Sequence, residues 1–487
     1  MASAPDASSR SALIPALEAV VGRERCLSTP EELLVYECDG LTSHVATPTA
    51  VVFPETTEEV QALVRACRTA GVPFVPRGAG TGLSGGALAS DDAVVVECSR
   101  MQAIRHIDVE NRIAVVEPGV VNADLSVAAK PHGLFYAPDP SSQLACTLGG
   151  NVAENSGGPH TLKYGTTTDH VLALELVLPD GACITLGDAS GLAPGFDWVG
   201  AVVGSEGTLG IVTAMTVRLE PIPERVETLL AIFDDVVSAC RAVGRIIESG
   251  LVPAALEIVD QRTIRAVEDS VYAAGLPRDA GAILIVELDG PDVALDAQIA
   301  EVQTHCRADG AERVEVARDE TERTQFWRAR KGAFGAMGRL APDLYVHDAV
   351  VPRTALPEVL AKVCEIGDRY GLTLSNVFHA GDGNLHPNIS FDRRDPDEMA
   401  RVIAAGEAIL RTCVEAGGVI TGEHGVGSEK SDYISLVFGE ADLDAMQKLR
   451  SVFDPERVCN PGKIFPTTRF CAESNPKARG YDRVPFG

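Results

Sequence analysis

No two cysteines in this chain are spaced as Cys-x-x-Cys, although it carries twelve, scattered from Cys26 to Cys471. That excludes a disulfide scaffold and an iron–sulfur or zinc-ribbon framework; dispersed, reduced thiols are expected. No apolar run approaches the roughly 20 residues needed to cross a bilayer. The first residues, MASAPDASSRSALIPALEAVVG, lack an unbroken apolar core and hold Asp6 and Glu18, so they do not read as an export signal. Positive charge is also scarce: 42 Lys and Arg face 69 Asp and Glu, a net charge of −27. Nucleic acid and anionic lipid would be repelled and are not expected partners. A small acidic substrate stays open, because it needs only a local positive site. The expectation is a soluble, cytoplasmic protein with no membrane span.

At 487 residues the chain is long enough for two or three domains. Residues 11–21 read as a short amphipathic helix. From 49 a strand (TAVVFP), a helix (TTEEVQALVRACRTAG) and a strand (VPFVP) lead into a glycine-rich turn, followed by further short strands. The alternation of polar and apolar residues with Asp-Gly and Asn-Arg turns predicts an α+β fold. The texture changes around Pro221 and Pro223, a plausible boundary. Beyond it, helices alternate with strands such as PAALEIVD and GAILIVELDG, which predicts an open antiparallel sheet with helices on one face. Residues 400–416 and 440–452 read as helical. The expected organisation is an N-terminal helical segment (1–45), a first domain (46–222), a second (223–420) and a C-terminal segment (421–487).

The turn PRGAGTGLSGGA at 76–87 contains Gly-x-Gly-x-x-Gly at Gly80, Gly82 and Gly85. A Rossmann turn would need a crossover helix after Gly85, and a whole crossover takes at least ~10–12 residues. The strand AVVVE begins at 93, and GALASDD cannot supply that helix. The loop instead reads as bare backbone N–H groups able to wrap a diphosphate, with Arg77 adding charge. A second stretch, PDPSSQLACTLGGNVAENSGGPHTLKYG at 138–165, reads as a long loop whose small polar residues suit the wall of an extended ligand. A third, GSEGTLGIVT, runs into a strand.

The segment HAGDGNLHPN places His379 and His386 around glycines that oppose helix and strand alike. A turn there brings both rings to one point, to share a ligand or to hydrogen-bond. Three His or carboxylate ligands are the minimum for a metal with an open position, and GEHG supplies Glu423 and His424 for a third.

These segments, together with FWRARKGAFGAMGRLAPD, GGVITGEHGVGSEK and VFDPERVCNPGKIFP, resemble the FAD-linked 2-hydroxyacid dehydrogenases of the vanillyl-alcohol oxidase type fold. Glycolate oxidase flavin subunits are nearest in wording and D-lactate dehydrogenases next, and the likeness runs from about 30 to 467. It implies a PCMH-type FAD-binding domain, a substrate or cap domain whose antiparallel sheet is covered by helices, and a C-terminal helical segment returning to the flavin. Pro76, Arg77, Gly78, Ala79, Gly80, Thr81 and Gly82 would hold the pyrophosphate. Pro140, Ser141, Thr147, Gly150, Asn151, Asn155, Ser156, Gly157 and Gly158 would line the isoalloxazine wall. Glu206 and Ile211 would contact the adenosine half, and Asn460 would approach the flavin. With Thr81 and no His in the loop, FAD is expected to be non-covalent.

The same resemblance assigns His379, His386 and Glu423 to a divalent metal, Zn, Mn, Fe or Co. It makes His424 the base for the substrate hydroxyl, and Arg330, with Asn388 assisting, the partner of the substrate carboxylate. Relatives acting on D-2-hydroxyglutarate carry threonine and lysine where this chain has Phe334 and Val346, which favours glycolate or D-lactate over the dicarboxylate. Two other readings are a flavin subunit inactive outside an oxidase complex and a non-redox exchange in ether-lipid synthesis. The chain has no haem, iron–sulfur or quinone motif, so electrons would leave to a quinone, a cytochrome, an iron–sulfur partner subunit or oxygen. A homodimer or a glycolate oxidase complex, peripheral to the inner membrane through a partner, is the expected assembly.

Overall fold

The computed structural model describes residues 7–41 and 43–466, and side chains from residue 12 onward. Cys471, and the parts of the segments 1–45 and 421–487 before 7 and after 466, lie outside the described residues. The chain forms two compact units. The first comprises Met1–Ser156, Thr166–Pro221 and Glu423–Gly487, and the second Gly157–Gly165 and Ile222–Gly422. Among the described residues no helix is long and apolar enough to cross a membrane, and eleven cysteines, Cys26 to Cys459, form no disulfide.

Among the described residues the first unit holds two larger sheets and a two-stranded one that pairs Leu134–Phe135 with Glu220–Pro221. One orders strands Cys26–Leu27, Ala50–Val52, Val94–Glu97 and Phe74–Arg77, with the last three parallel. The helix Thr57–Ala70 makes the crossover. Thr56 caps it by accepting from Glu59 N at 3.2 Å, Gly71 ends it at φ 65°, and it buries Val60, Leu63, Val64 and Cys67 at helical spacing. Leu13, Leu17 and Val21 of the helix Ala7–Val21 complete that core. The other sheet is antiparallel and five-stranded, in the order Ile104–Asp108, Ile113–Val116, Ile211–Arg218, Val171–Val177, Cys183–Gly187.

The stretch 138–165 departs from the long irregular loop expected of it. It contains helices Leu148–Glu154 and Thr161–Tyr164, the first opened by Thr147, which accepts from Gly150 N. From Gly157 to Gly165 it belongs to the second unit, where His160 Nε2 sits 2.9 Å from Glu287 Oε1 and its ring stacks on Trp327.

The second unit is built on an antiparallel sheet centred on Arg225–Phe233, Ala282–Gly290, Ala255–Asp260 and Thr373–His379. Helices cover both faces rather than the one expected. The strand Ala255–Asp260 is buried at every residue, so side chains pointing both ways need a partner layer. One face, with Val259, Ile285 and Val377, packs on helices Gln261–Glu268 and Glu320–Met337. The helices Val236–Glu248, Asp292–Ala308 and Leu356–Tyr370 also pack onto its strands.

Candidate functional site

In the second unit the strand Thr373–His379 turns sharply and returns as Asn384–Leu385, with His379 in register with Asn384. The glycines of this turn answer to space. A Cβ on Gly381 would come within 2.8 Å of Leu162, and one on Gly383, at φ 87°, would overlap the carbonyl of Val351. The turn sets the rings of His379 and His386 edge to face, centroids 5.2 Å apart, and both are buried.

Glu257 enters from the neighbouring strand and Arg330 from the helix Glu320–Met337. Glu257 Oε1 lies 2.7 Å from His379 Nδ1, while Arg330 Nε donates to Glu257 Oε2 at 2.6 Å. Burial pushes the Glu257 carboxyl up, but the charges and hydrogen bonds of Arg330 and His379 outweigh it and hold the group below its ordinary value. Two groups meet Nδ1 of His379, Glu257 Oε1 at 2.7 Å and the donor Arg330 Nη2 at 3.4 Å; the carboxylate only accepts and is far the closer, so in the neutral ring Nδ1 carries the proton and Nε2 the lone pair. His386 follows the same rule, its Nδ1 lying 3.2 Å from the carbonyl oxygen of His347. Asn388 Nδ2 donates to the His386 carbonyl at 2.6 Å, and its Oδ1 is buried with no hydrogen bond among the described residues. Phe334, one helical turn from Arg330, points its ring at His386, centroids 6.5 Å apart, and Val346 lies in register with Asn388.

Asp348 is fully buried. Its Oδ1 is 3.8 Å from His386 Nδ1, and its Oδ2 accepts from Thr421 Oγ1 at 2.6 Å and Gly422 N at 3.0 Å. Thus the structure brings His379, His386, Arg330 and Asn388 together in the second unit. It adds Glu257 and Asp348, which the sequence reading missed. The available signal was the Glu in the middle of the otherwise apolar run PAALEIV and the Asp of YVHD.

In the first unit the glycine loop leaves the strand Phe74–Arg77. A Cβ on Gly78 would overlap Thr147 Oγ1, and one on Gly80, at φ 66°, would overlap the Arg77 guanidinium. Gly82, by contrast, faces open space, with nothing within 4 Å of such a Cβ. Arg77 is buried, donating from Nη2 to Cys38 O at 3.0 Å with Nε 3.6 Å from Glu97 Oε2. Arg77 Nη1, Ser84 Oγ and Asn460 Oδ1 are buried without a hydrogen bond among the described residues. Ala79 and Thr81 complete the loop, and Pro76 packs beside Gly207.

Along the wall, Pro140 is buried and Ser141 exposed. Asn151 Oδ1 accepts from Asn122 Nδ2 at 2.9 Å, its Nδ2 donates to Ser156 Oγ at 3.2 Å, and Asn155 Oδ1 accepts from Thr168 N at 2.9 Å. Gly157 and Gly158 lie in the second unit, and Ile211 is a core residue of the first.

Glu206 spends both carboxylate oxygens on the chain, accepting from Val426 N and Gly427 N at 2.7 Å each. It thereby fixes the loop that follows Glu423 and His424, whose side chains lie side by side with Nε2 3.9 Å from Oε1. Asn460 Nδ2 donates to Gly86 O and Glu206 O at 2.9 and 2.7 Å, tying the C-terminal stretch to the glycine loop. Beneath them Lys463 is pushed down to about 8 by burial, against the pull of Asp39, Glu206 and Glu154. Burial, then the charge of Glu206, pushes Glu154 far up.

Residues 48–187 match the family model of the FAD binding domain, and residues 222–464 that of the FAD linked oxidases, C-terminal domain. The chain is 45% identical over 482 residues to the glycolate oxidase subunit GlcD of Escherichia coli K12, covering 99% of this chain and 96% of that one. It is 33% identical over 427 residues to D-lactate dehydrogenase of Anaerostipes hadrus, covering 86% and 90%. Among solved structures, p-cresol methylhydroxylase superposes with a TM-score of 0.80 at 18% identity, covering 95% of this chain and 98% of that one. That last likeness speaks to the fold alone. A flavin-binding domain ahead of an oxidase C-terminal domain, with close identity along almost the whole chain, makes this an FAD-dependent oxidoreductase: the chain belongs to the FAD-linked oxidase family and has the vanillyl-alcohol oxidase type fold.

Proposed function

We propose that the protein oxidises a small 2-hydroxyacid, glycolate or D-lactate, to the 2-oxoacid. The observation carrying this reading is the pair of buried histidines in the second unit, set edge to face with each Nδ1 beside a protein oxygen, Glu257 Oε1 or the His347 carbonyl. The relatives named for glycolate and D-lactate support the substrate class. In this reading residues 46–222 bind FAD, 223–420 hold the substrate, and the segment from 421 completes the site.

FAD, when bound, supplies the hydride acceptor, and a divalent metal, when bound, eases loss of a coordinated hydroxyl proton. The unpartnered Arg77 Nη1, Ser84 Oγ and Asn460 Oδ1, with the open face of Gly82, fit a polar cofactor lying along the glycine loop. For the metal, we take His379, His386 and Glu423 as the ligands, nitrogen and oxygen donors free of thiolate that would suit Zn, Mn, Fe or Co, with Asp348 beside His386 a further oxygen donor. Chain continuity supports that set, since Asp348 grips Gly422 and Glu423 is the next residue. His424 takes the hydroxyl proton on a ring nitrogen. Arg330 commits Nε to Glu257 and sets Nη2 3.4 Å from His379 Nδ1, so Nη1 is the group that would pair with the substrate carboxylate, and Asn388 Oδ1 is the neighbouring acceptor. Phe334 and Val346 offer nothing to a second carboxylate, which disfavours D-2-hydroxyglutarate.

The test is anaerobic. The purified flavoprotein is mixed with glycolate, D-lactate, L-lactate and D-2-hydroxyglutarate, and loss of the flavin's visible band is followed. Bleaching by glycolate or D-lactate, abolished by chelation, is the expected result. Bleaching by dithionite alone would reject it and leave a second reading, a flavin subunit active only within a complex, which the word subunit in the Escherichia coli relative's name favours.

A further inference from the structure

Glu257 stands in the middle of a strand buried at every residue, a costly place for a carboxylate unless its charge is used. Its two oxygens serve two different residues, Oε1 at 2.7 Å from His379 Nδ1 and Oε2 at 2.6 Å from Arg330 Nε. Glu257, Arg330 and His379 are 0%, 1% and 3% exposed, so water cannot stand in for either contact. The partners arrive from separate elements, the helix Glu320–Met337 and the strand Thr373–His379. One carboxylate therefore fixes the direction of both.

We propose that Glu257 is a positioning residue that holds His379 as its Nδ1–H tautomer, presenting Nε2 for ligation, and at the same time aims Arg330 at the substrate carboxylate. The inference rests on the reading of His379 as a metal ligand. Glu257 itself touches neither metal nor substrate. A glutamine there can turn its NH₂ toward Nδ1, which admits the opposite tautomer, with a proton on Nε2 where a metal would bind. Removing such a partner typically lowers metal affinity about 10- to 100-fold.

The experiment uses the full-length, FAD-loaded protein, stripped with a chelator and then titrated. Mn²⁺ binding is read from the free-ion EPR signal and Zn²⁺ binding by competition with a chromogenic chelator. Four proteins are compared: unaltered, Glu257→Gln, Arg330→Met, and the double variant. Glu257→Gln is expected to weaken binding about 10- to 100-fold, whereas Arg330→Met, which keeps the Glu257–His379 contact, stays near the unaltered value. The double variant, which buries no unpaired charge and covers the case in which Glu257→Gln does not fold, is expected to stay as weak as that single variant. Ring ¹⁵N shifts of His379 in histidine-labelled protein should move from the Nδ1–H pattern toward the Nε2–H pattern in both proteins that carry Glu257→Gln. Recovery of unaltered affinity in the double variant would reduce Glu257 to a counter-ion for Arg330 and overturn the inference. So would tight binding by Glu257→Gln. Absence of Mn²⁺ and Zn²⁺ binding by the unaltered protein would instead overturn the metal reading, and this inference with it.

Discussion

Gly78, Gly80 and Gly82 shape the binding loop of the first unit by what they lack, whereas Glu257, Arg330 and His379 shape the second unit's cluster by what they carry. In the first unit the backbone comes close because no Cβ obstructs it, and recognition there would run through N–H groups and a few buried polar atoms. In the second, the buried charges of Glu257 and Arg330 face one another across a helix and a sheet. A backbone cradle tolerates loss of one contact by small adjustments. A buried charge network does not, since each charge is kept in place by its partner.

That contrast can be broken at its strongest point by His424→Ala. Loss of a positioned base is expected to slow reduction of the bound flavin by the hydroxyacid about 100- to 10,000-fold, with flavin content unchanged, as stopped-flow absorbance would show. His386→Ala should lower the rate as strongly and also strip the metal, seen as metal per flavin by elemental analysis. Should His386→Ala reduce its flavin at the unaltered rate, the second unit's cluster is not the reacting centre, and should His424→Ala do so, His424 is not the base.

Next in size is Glu257→Ala, which leaves a buried guanidinium unpaired. About 3–5 kcal/mol of stability should go, read from denaturant unfolding. A loss under about 1 kcal/mol would mean that the second unit tolerates change as readily as the first.

The first unit has one exposed flank of its own, to pH. Burial lifts Glu97 from its ordinary 4.5 to about 7, against the pull of Arg77. The folded state therefore keeps a proton that the unfolded chain releases earlier, so stability falls as pH rises from 4.5 through about 7 and levels beyond. At about 1.36 kcal/mol per pKa unit the effect is at most about 3 kcal/mol. Thermal melts across that range should show a slope that Glu97→Gln flattens. The smallest effect sharpens the comparison most. Gly82→Val should leave the melting of flavin-free protein unchanged while weakening FAD roughly tenfold, about 1.4 kcal/mol.

Glycine explains why the first unit was readable in the sequence. A run such as GAGTGLSGG records close approach in the residue identity itself, and the absence of room for a crossover helix set aside the Rossmann reading without any coordinates. His379 and His386 were readable for the same reason, being framed by glycines. Glu257 was not, because its partners stand 73 and 122 residues away and one acid in an apolar strand carries no local signature. The second layer of helices was nearly legible, since AILIVEL alternates too little for a half-exposed strand. The short helices of the 138–165 stretch were hidden by its glycines and asparagines, which oppose helix until Thr147 caps one.

The first unit is written in three pieces of chain, with almost the whole of the second between them. Asn460 reaches back across 374 residues to hold Gly86, and Cys459 bridges to Phe74. During synthesis, therefore, the second unit has all its sequence in hand while the first still waits for its closing strap. A nascent chain halted before residue 460 would carry a finished sheet with its buried charges beside a glycine loop not yet tied down. Cofactor loading would then wait for this strap to leave the ribosome, so flavin uptake would report that residues 459 and 460 have been made and have found their places.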